Sequence, residues 1–291
     1  MTTKIMLILE DIKFTYKKRT WRNKKRNKYY QKRKQMKKKV EQFKRIDSTI
    51  KPTIKLQPLA DEQKIVVHKA LEKAKKDERV LIVDGEYGKL IGSDILLLRP
   101  RKWLNDEIIN YYAAMLGKRS NSGKCKSSVV LLNSFFYTKL AGNGYDYGAV
   151  SRWTSTAQRR YLSKNVKTIF DLDKVIFPIN IKDHWLCGCV NVKKKIIEFY
   201  CSMGSYCKEL YGILKRYIED EIKDKQLAIN EDWDYYVTTD VPLQDNNLDC
   251  GVFTCMFMDC LCNDITPDFG QEYIDNFRLK IAYEIITNKL I

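Results

Sequence analysis

One cysteine stands where a helix is expected to begin. Cys250 ends a polar, turn-rich run that starts at Gln244, and after Gly251 an apolar stretch extends from Val252 to Cys262. The free N–H groups and the dipole at a helix N-terminus stabilise a thiolate, which is the nucleophilic form of cysteine. The same pattern is also typical of a loop that enters a buried helix, because buried cysteines are common. Both interpretations of Cys250 are open on this stretch alone.

Two more side chains have the chemistry to assist such a thiol. His184 precedes Trp185 at the start of a predicted strand, and the only other histidine, His68, lies among lysines in a predicted surface helix. An imidazole beside Cys250 would take the thiol proton and later protonate a leaving amine. Gln244 offers an amide donor that, with the backbone N–H of Cys250, would form an oxyanion hole. Taken by itself, Gln244 is explained more simply by hydrogen bonding within its own loop.

The elements that must position these residues form an α+β pattern. Apolar residues at helical spacing predict a helix over 61–76, capped by Asp61, and a second one that starts at Asn105 or Asp106. Trp103 precedes the second helix, either as a hydrophobic staple or as the wall of a groove. A turn of three lysines, 193–195, predicts a hairpin between two strands. The remaining predictions are strands at 80–83, 129–132, 175–179, 185–192, 196–200 and 234–238, and helices at 206–224, 252–262 and 272–290.

The positive charge is concentrated at one end of the chain. The net charge is +17, but residues 1–56 hold 20 Lys+Arg and 4 Asp+Glu, which leaves 33 and 32 for residues 57–291. We therefore predict a basic, disordered extension and linker over 1–56 and one catalytic domain over 57–291. The net positive charge of the chain is therefore no evidence that residues 57–291 bind nucleic acid.

Three interpretations of the basic run at 13–45 are open. A nuclear-import signal is favoured because the lysines and arginines form dense clusters, and it predicts a nuclear protein, with the cytoplasm as a second location. Contact with nucleic acid or another acidic partner is the second interpretation. A solvated tail without a partner is the third.

The cysteines favour reduced thiols in an intracellular protein. There are nine of them, an odd number, and no Cys-x-x-Cys pair accompanies the two histidines, so no metal site is predicted. The apolar start at residues 5–9 is too short for a secretory signal, and no stretch has the length of a membrane span. We expect a monomer that needs no cofactor and makes no membrane contact.

Several segments resemble, in their order and spacing, the SUMO-specific (ubiquitin-like-protein-specific, Ulp/sentrin-type) cysteine proteases, peptidase family C48. The matching segments are Trp103 to Ile109, Asn133 to Leu140, Arg152-Trp153, Pro178-Ile179, His184-Trp185, Tyr200 with Ser202-Met203-Gly204, and Gln244 through Asp249-Cys250-Gly251-Val252. Each match is weak or moderate alone, and together they cover roughly residues 57–291.

The resemblance implies a papain-like α+β fold, with a central mixed sheet flanked by helices and the nucleophile at the N-terminus of a buried helix. It also implies cleavage after the C-terminal Gly-Gly of a SUMO-type modifier through a thioester, for deconjugation or precursor processing, with the modifier and its conjugates as partners. Carried over residue by residue, the roles are nucleophile for Cys250, base for His184, oxyanion donor for Gln244, tunnel walls for Trp103 and Trp185, and substrate binding for Gly251.

One position departs from the family pattern. The family has an aspartate where this chain has Cys201, seventeen residues after His184. A neutral thiol is a weak donor and acceptor, and it does not replace a carboxylate that orients the imidazole. Two functions from different classes follow: an active, slower isopeptidase, or a pseudo-protease that binds the modifier without cutting it. A third option keeps the fold and changes the substrate.

Overall fold

The computed structural model describes residues 57–124, 127–153, 166–204, 208–229, 233–237 and 241–291. The predictions for residues 1–56 lie outside this range. The helices are α1 Asp61–Lys76, α2 Gly92–Leu96, α3 Asp106–Arg119, α4 Phe135–Ala141, α5 Lys208–Asp224, α6 Cys250–Cys262 and α7 Ile274–Thr287. The strands are β1 Leu81–Gly85, β2 Gly88–Ile91, β3 Val129–Leu131, β4 Lys174–Ile181, β5 His184–Asn191, β6 Ile196–Tyr200 and β7 Asp234–Val237.

A mixed five-stranded sheet forms the centre of the described chain. Its strand order is β3-β4-β5-β6-β7, and β1 and β2 form a separate hairpin. The outer pairs β3–β4 and β6–β7 are parallel, whereas β4–β5 and β5–β6 are antiparallel. The predicted α+β class with a central mixed sheet is confirmed.

Helices cover both faces of this sheet. On one face, Cys187 and Cys189 of β5 join a core cluster built from α3, α6 and α7. On the other face, Leu186 and Val190 join a second cluster with α4 and α5. The alternation of side chains along a strand explains why neighbouring residues of β5 enter different clusters. Every residue of α6 is buried, as expected for a helix that is apolar on all sides.

The strand register places His184 and Cys201 near each other. Ile181 pairs with His184 across a tight turn in which Lys182 and Asp183 have φ of 49° and 63°, so His184 is the first residue of β5. Cys187 pairs with Tyr200, which puts Cys201 one residue beyond β6 and opposite Leu186. His184 and Cys201 are therefore diagonal neighbours on one face, within reach of side-chain contact.

The structure corrects several sequence-based boundaries. Helix α1 begins after Ala60, which has no capping side chain; the backbone N–H of Ala60 donates to Gln63 Oε1 at 2.9 Å, and Asp61 is not the cap. Helix α3 does start at the predicted cap, since Asn105 Oδ1 accepts from Ile108 N at 3.1 Å. The terminal helix starts at residue 274 instead of 272, after a short 3₁₀ turn. Strand β2 and helices α2 and α4 were not predicted.

Candidate active site

Cys250 is the first residue of α6, as the sequence pattern predicts. Its side chain is buried, yet it lines a groove of about 380 Å³ that opens to solvent. The apolar body of α6 fixes the helix in the core, and the polar residues before it form a loop because they have no buried face to pack. The thiol therefore lies at the N-terminus of a buried helix, beside the free N–H groups of its first turn.

His184 interacts with two cysteine side chains. Its Nε2 is 3.2 Å from Cys201 Sγ, and Cys250 is close enough to influence the pKa of the ring. Partial burial disfavours the imidazolium, but the contacts with Cys201 and Cys250 outweigh burial and raise the pKa of His184 to about 9. The structure thus brings the predicted base into contact with the substituted third position and places the predicted nucleophile near that base.

No carboxylate among the described residues hydrogen-bonds His184. Glu198 is on the other face of β6, opposite Cys189, and accepts from Asn191 Nδ2 at 3.3 Å. Asp183 is exposed in the turn before β5 and lines the groove. Cys201, with only 6% of its surface exposed, is the group that contacts the imidazole at this position.

Gln244 is held by the segment that carries Cys201. Its backbone N–H donates to the Ser202 carbonyl at 2.9 Å, and its Oε1 accepts from Ser202 Oγ at 2.6 Å. One hydrogen of Nε2 is donated to the Asn246 carbonyl at 2.6 Å. These bonds fix the amide plane next to the nucleophile loop, and an amide nitrogen carries a second hydrogen.

Two tryptophans line the same groove as Cys250. Trp103 is 48% exposed, which is inconsistent with a buried staple and makes it a groove wall. Its Nε1 donates to the Asn247 carbonyl of the nucleophile loop at 2.8 Å. Trp185 is buried, and its Nε1 donates to the Leu104 carbonyl at 3.1 Å. Hydrogen bonds thus hold both indoles in place.

Gly251 lies beneath the groove and does not line it. An added Cβ would lie 2.9 Å from Leu104 Cβ and 3.3 Å from Ile109 Cδ1, so the missing side chain lets α6 approach the segment that leads into α3. The structure gives Gly251 a packing role, and contact with substrate stays a prediction.

A buried arginine, which sequence reasoning missed, joins the two loops that flank the groove. Arg278 of α7 is 1% exposed, and its Nη2 donates to Asp249 Oδ1 at 2.5 Å. The same guanidinium donates to the carbonyls of Leu97, Arg99 and Lys102 at 2.7 to 3.1 Å. The residue before the nucleophile and the segment before Trp103 therefore share one cation.

Both carboxylate oxygens of Asp249 accept hydrogen bonds. Its Oδ2 accepts from Asn246 Nδ2 and from Gln271 Nε2, each at 2.7 Å. Burial favours the protonated acid, but the bonds from Arg278, Asn246 and Gln271 keep its pKa below the usual range. One sequence signal was present, because Arg278 lies on the apolar face of α7, where a charge needs a buried partner.

No group of three metal-ligating side chains occurs within the described part of the chain. None of the described helices is long and apolar enough to cross a membrane.

The region that holds these site residues is similar in sequence to known proteases. Residues 102–290 match the family described as Ulp1 protease family, C-terminal catalytic domain. Ubiquitin-like-specific protease 1A of Arabidopsis thaliana is 32% identical over 239 residues, which is 80% of this chain and 46% of that protein. Sentrin-specific protease 2 of Rattus norvegicus is 35% identical over 208 residues, or 70% of this chain and 33% of that protein. This chain thus spans less than half the length of either relative.

A solved structure extends the likeness to three dimensions. The C-terminal Ulp1 protease domain, solved in complex with Smt3, the yeast ortholog of SUMO, has 29% identity and a TM-score of 0.65. The alignment covers 80% of this chain and 97% of that domain. It confirms the papain-like α+β fold, and the family match over residues 102–290 contains every predicted site residue. The chain belongs to the Ulp1 protease family of cysteine peptidases, family C48.

Proposed function

We propose that this chain is a cysteine peptidase that cleaves after the C-terminal Gly-Gly of a SUMO-type modifier, in conjugates and in precursors. The observation that carries the proposal is the position of Cys250, at the start of a buried helix and beside His184, in a groove lined by Trp103 and Trp185. The relative solved in complex with the yeast ortholog of SUMO supports the choice of modifier.

The chemistry is acyl transfer in two steps. The Cys250 thiolate attacks the carbonyl carbon of the last glycine, and the oxyanion receives hydrogen bonds from the Cys250 backbone N–H and Gln244 Nε2. The His184 imidazolium gives its proton to the leaving lysine amine, and a thioester remains. Water then adds to the thioester with His184 as the base, and Cys250 leaves as a thiolate.

The groove accounts for the preference for glycine. A chain that passes between Trp103 and Trp185 has little room for side chains, since both indoles are held by hydrogen bonds to backbone carbonyls. Residues with a Cβ are rejected by steric clash, which makes exclusion part of the specificity.

One observation favours a second candidate, a pseudo-protease that binds the modifier without cutting it. Cys201 occupies the position of the orienting aspartate, and loss of such a carboxylate costs about 10⁴ in a serine-type triad. We favour the active enzyme because a thiolate and an imidazolium stabilise each other directly.

An electrophilic probe separates the candidates. We expect SUMO with a C-terminal vinyl sulfone to label the chain covalently, and the Cys250→Ser variant to bind it without labelling. Matched NEDD8 and ubiquitin probes test the choice of modifier, including the option of another substrate on the same fold. Tight SUMO binding without labelling at any pH would identify a pseudo-protease. Absence of binding to all three probes would contradict both candidates.

The basic run at 13–45 supports a separate proposal, a nuclear location for the protein. Dense clusters of lysine and arginine are the chemistry that import receptors bind. We expect deletion of residues 1–45 to shift a fluorescently tagged chain to the cytoplasm. Nuclear retention of that variant would contradict the proposal.

A further inference from the structure

A thiol at the third position gives the imidazole two possible proton arrangements. A carboxylate only accepts hydrogen bonds, so it holds the proton of a neutral imidazole on the nitrogen that faces it. A thiol both donates and accepts, and Cys201 Sγ faces Nε2 of His184 at 3.2 Å. If the thiol donates to Nε2, the ring proton lies on Nδ1, the nitrogen left for Cys250.

The arrangement with the ring proton on Nδ1 hinders only the second of the two chemical steps, hydrolysis of the acyl-enzyme. In the free enzyme the imidazolium carries a proton on both nitrogens, so it needs only an acceptor in Cys201. In the acyl-enzyme Cys250 is a thioester, and His184 must be neutral with a free Nδ1 to take a proton from water. A donating thiol at Cys201 blocks that step, whereas a thiolate permits it.

We propose that Cys201 is the positioning residue for His184, that it acts in its thiolate form, and that its ionisation controls hydrolysis of the acyl-enzyme. This inference deepens the proposed function and rests on it. In this step water gives one proton to His184 Nδ1, its oxygen bonds to the thioester carbon, the C–S bond breaks, and Cys250 leaves as a thiolate. The second proton of the water goes to solvent when the product carboxylic acid ionises.

His184 is a titratable group in direct contact with the Cys201 sulfur. It belongs to β5, and Cys250 of α6 lies near the imidazole. Asp249, in the loop before α6, is paired with Arg278. Asp183, next to His184, is exposed to solvent. On its other side Cys201 belongs to the apolar cluster shared with α4 and α5.

Proton position is the direct test, and it does not depend on turnover. The full chain has only two histidines, His68 and His184, so ¹⁵N spectra of the imidazole rings can be assigned by substitution of one. In a Cys250→Ser background we expect the His184 proton to move to Nε2 as the pH rises from 7 to 10, and to remain on Nε2 after neutralisation in Cys201→Asp. In Cys201→Ser we expect no such movement. A pH response of His184 that is the same with Cys201 and with Ser at this position overturns the inference.

Turnover of a SUMO C-terminal thioester is the second test. With this substrate, acylation of Cys250 is a thiol exchange, so hydrolysis of the acyl-enzyme limits the rate. In every variant the turnover rate should rise once with pH, as His184 loses its proton. The wild-type chain should show a second rise above about pH 7, in the range where cysteine thiols ionise. Cys201→Ser and Cys201→Asp should lack it, with the Asp variant at least about tenfold faster than wild type at pH 7.

Cys189→Ala is the matched control, because it removes a buried thiol of the same sheet that does not contact His184. This variant should keep the second rise. Identical profiles for wild type and Cys201→Ser would overturn the inference while leaving the proposed function intact. Absence of turnover in both wild type and Cys201→Asp would instead count against the proposed function, and the proton position would still decide the inference.

Discussion

At the scale of single residues, the reactivity of the site depends on the proton of His184. Its pKa is raised from the ordinary 6.5 to about 9, because its contacts with the sulfurs of Cys201 and Cys250 outweigh the effect of burial. A raised pKa means that the folded chain binds this proton more tightly than the unfolded chain. The resulting stabilisation is complete below pH 6.5 and is lost as the pH rises through about 9.

The same proton sets the upper limit of pH for acylation. We expect kcat/KM for a SUMO C-terminal coumarin amide to fall above about pH 9, since this parameter reports ionisations of the free enzyme. Steady-state rates from pH 6 to 10 measure it, with circular dichroism at each pH to verify folding. A fall centred near pH 6.5 would show that the two sulfurs do not retain the proton.

Gln244 is the second residue whose contribution can be isolated. An oxyanion donor acts on the transition state, so Gln244→Ala should lower kcat by about 10²–10³ with little change in KM. Asn247→Ala is a suitable control, because the Asn247 side chain is exposed in the same loop and only its backbone carbonyl binds Trp103. A rise in KM with kcat unchanged would mean that Gln244 holds the loop and does not contact the oxyanion.

At the scale of elements, the sequence pattern predicted those helices and strands whose formation depends on neighbouring residues. The hairpin of β5 and β6 was predicted with nearly correct ends, because apolar strands flank a turn of lysines. Helix α6 was predicted because a long, mainly apolar run is typical of a fully buried helix. Strand β2 and helices α2 and α4 were missed, since they are too short to show a sustained periodic pattern of apolar residues.

Contacts between distant segments could not be predicted from such patterns. Arg278 and Asp249 are 29 residues apart, and their pairing depends on how α7 packs against α6. The proximity of His184 and Cys201 was expected only through the family resemblance, since it depends on strand register. Register is set by the whole sheet and its turns, which a single strand does not reveal.

The close approach of α6 to Leu104 makes Gly251 sensitive to one added methyl group. Alanine favours helix by up to about 1 kcal/mol over glycine, but overpacking against a fixed Cβ costs about 1–3 kcal/mol. We expect Gly251→Ala to lower the free energy of unfolding in urea by up to about 2 kcal/mol, the overpacking cost less the full helix preference.

Gly212→Ala is the control, because an added Cβ in α5 meets no atom within 4 Å. It should raise the free energy of unfolding by about 0.5–1 kcal/mol. Equal effects of the two substitutions would show that α6 does not depend on this contact.

The ion pair between α7 and the nucleophile loop is the second test at this scale. Arg278→Met leaves the Asp249 carboxylate buried without its cation, which costs about 3–5 kcal/mol of unfolding free energy. Lys215→Met is the control, since Lys215 is 41% exposed and its Nζ lies 3.9 Å from Glu219 Oε1, a geometry worth about 1 kcal/mol or less. Urea denaturation of the two variants compares them, and similar losses would mean that Arg278 is not the link between the loops.

At the scale of the whole molecule, charge and catalysis belong to different parts of the chain. Residues 1–56 carry a net charge of +16 and residues 57–291 a net charge of +1, whereas every candidate site residue lies between positions 103 and 251. The family match, residues 102–290, falls within the second part. The division into a basic extension and one catalytic domain stays a prediction, and it implies that the two parts can be altered independently.

Neutralising the extension tests that independence. We expect the full chain with glutamine in place of the lysines and arginines of 13–45 to keep its kcat/KM for the SUMO coumarin amide within about twofold, because a long-range contribution is screened beyond about 10 Å at 0.1 M salt. The same variant should lose any binding to a random-sequence DNA duplex, and with it the fall of affinity with salt that phosphate contacts produce. DNA binding that persists in the variant would place a basic face on the catalytic part. A large fall in kcat/KM would show that the extension takes part in substrate binding.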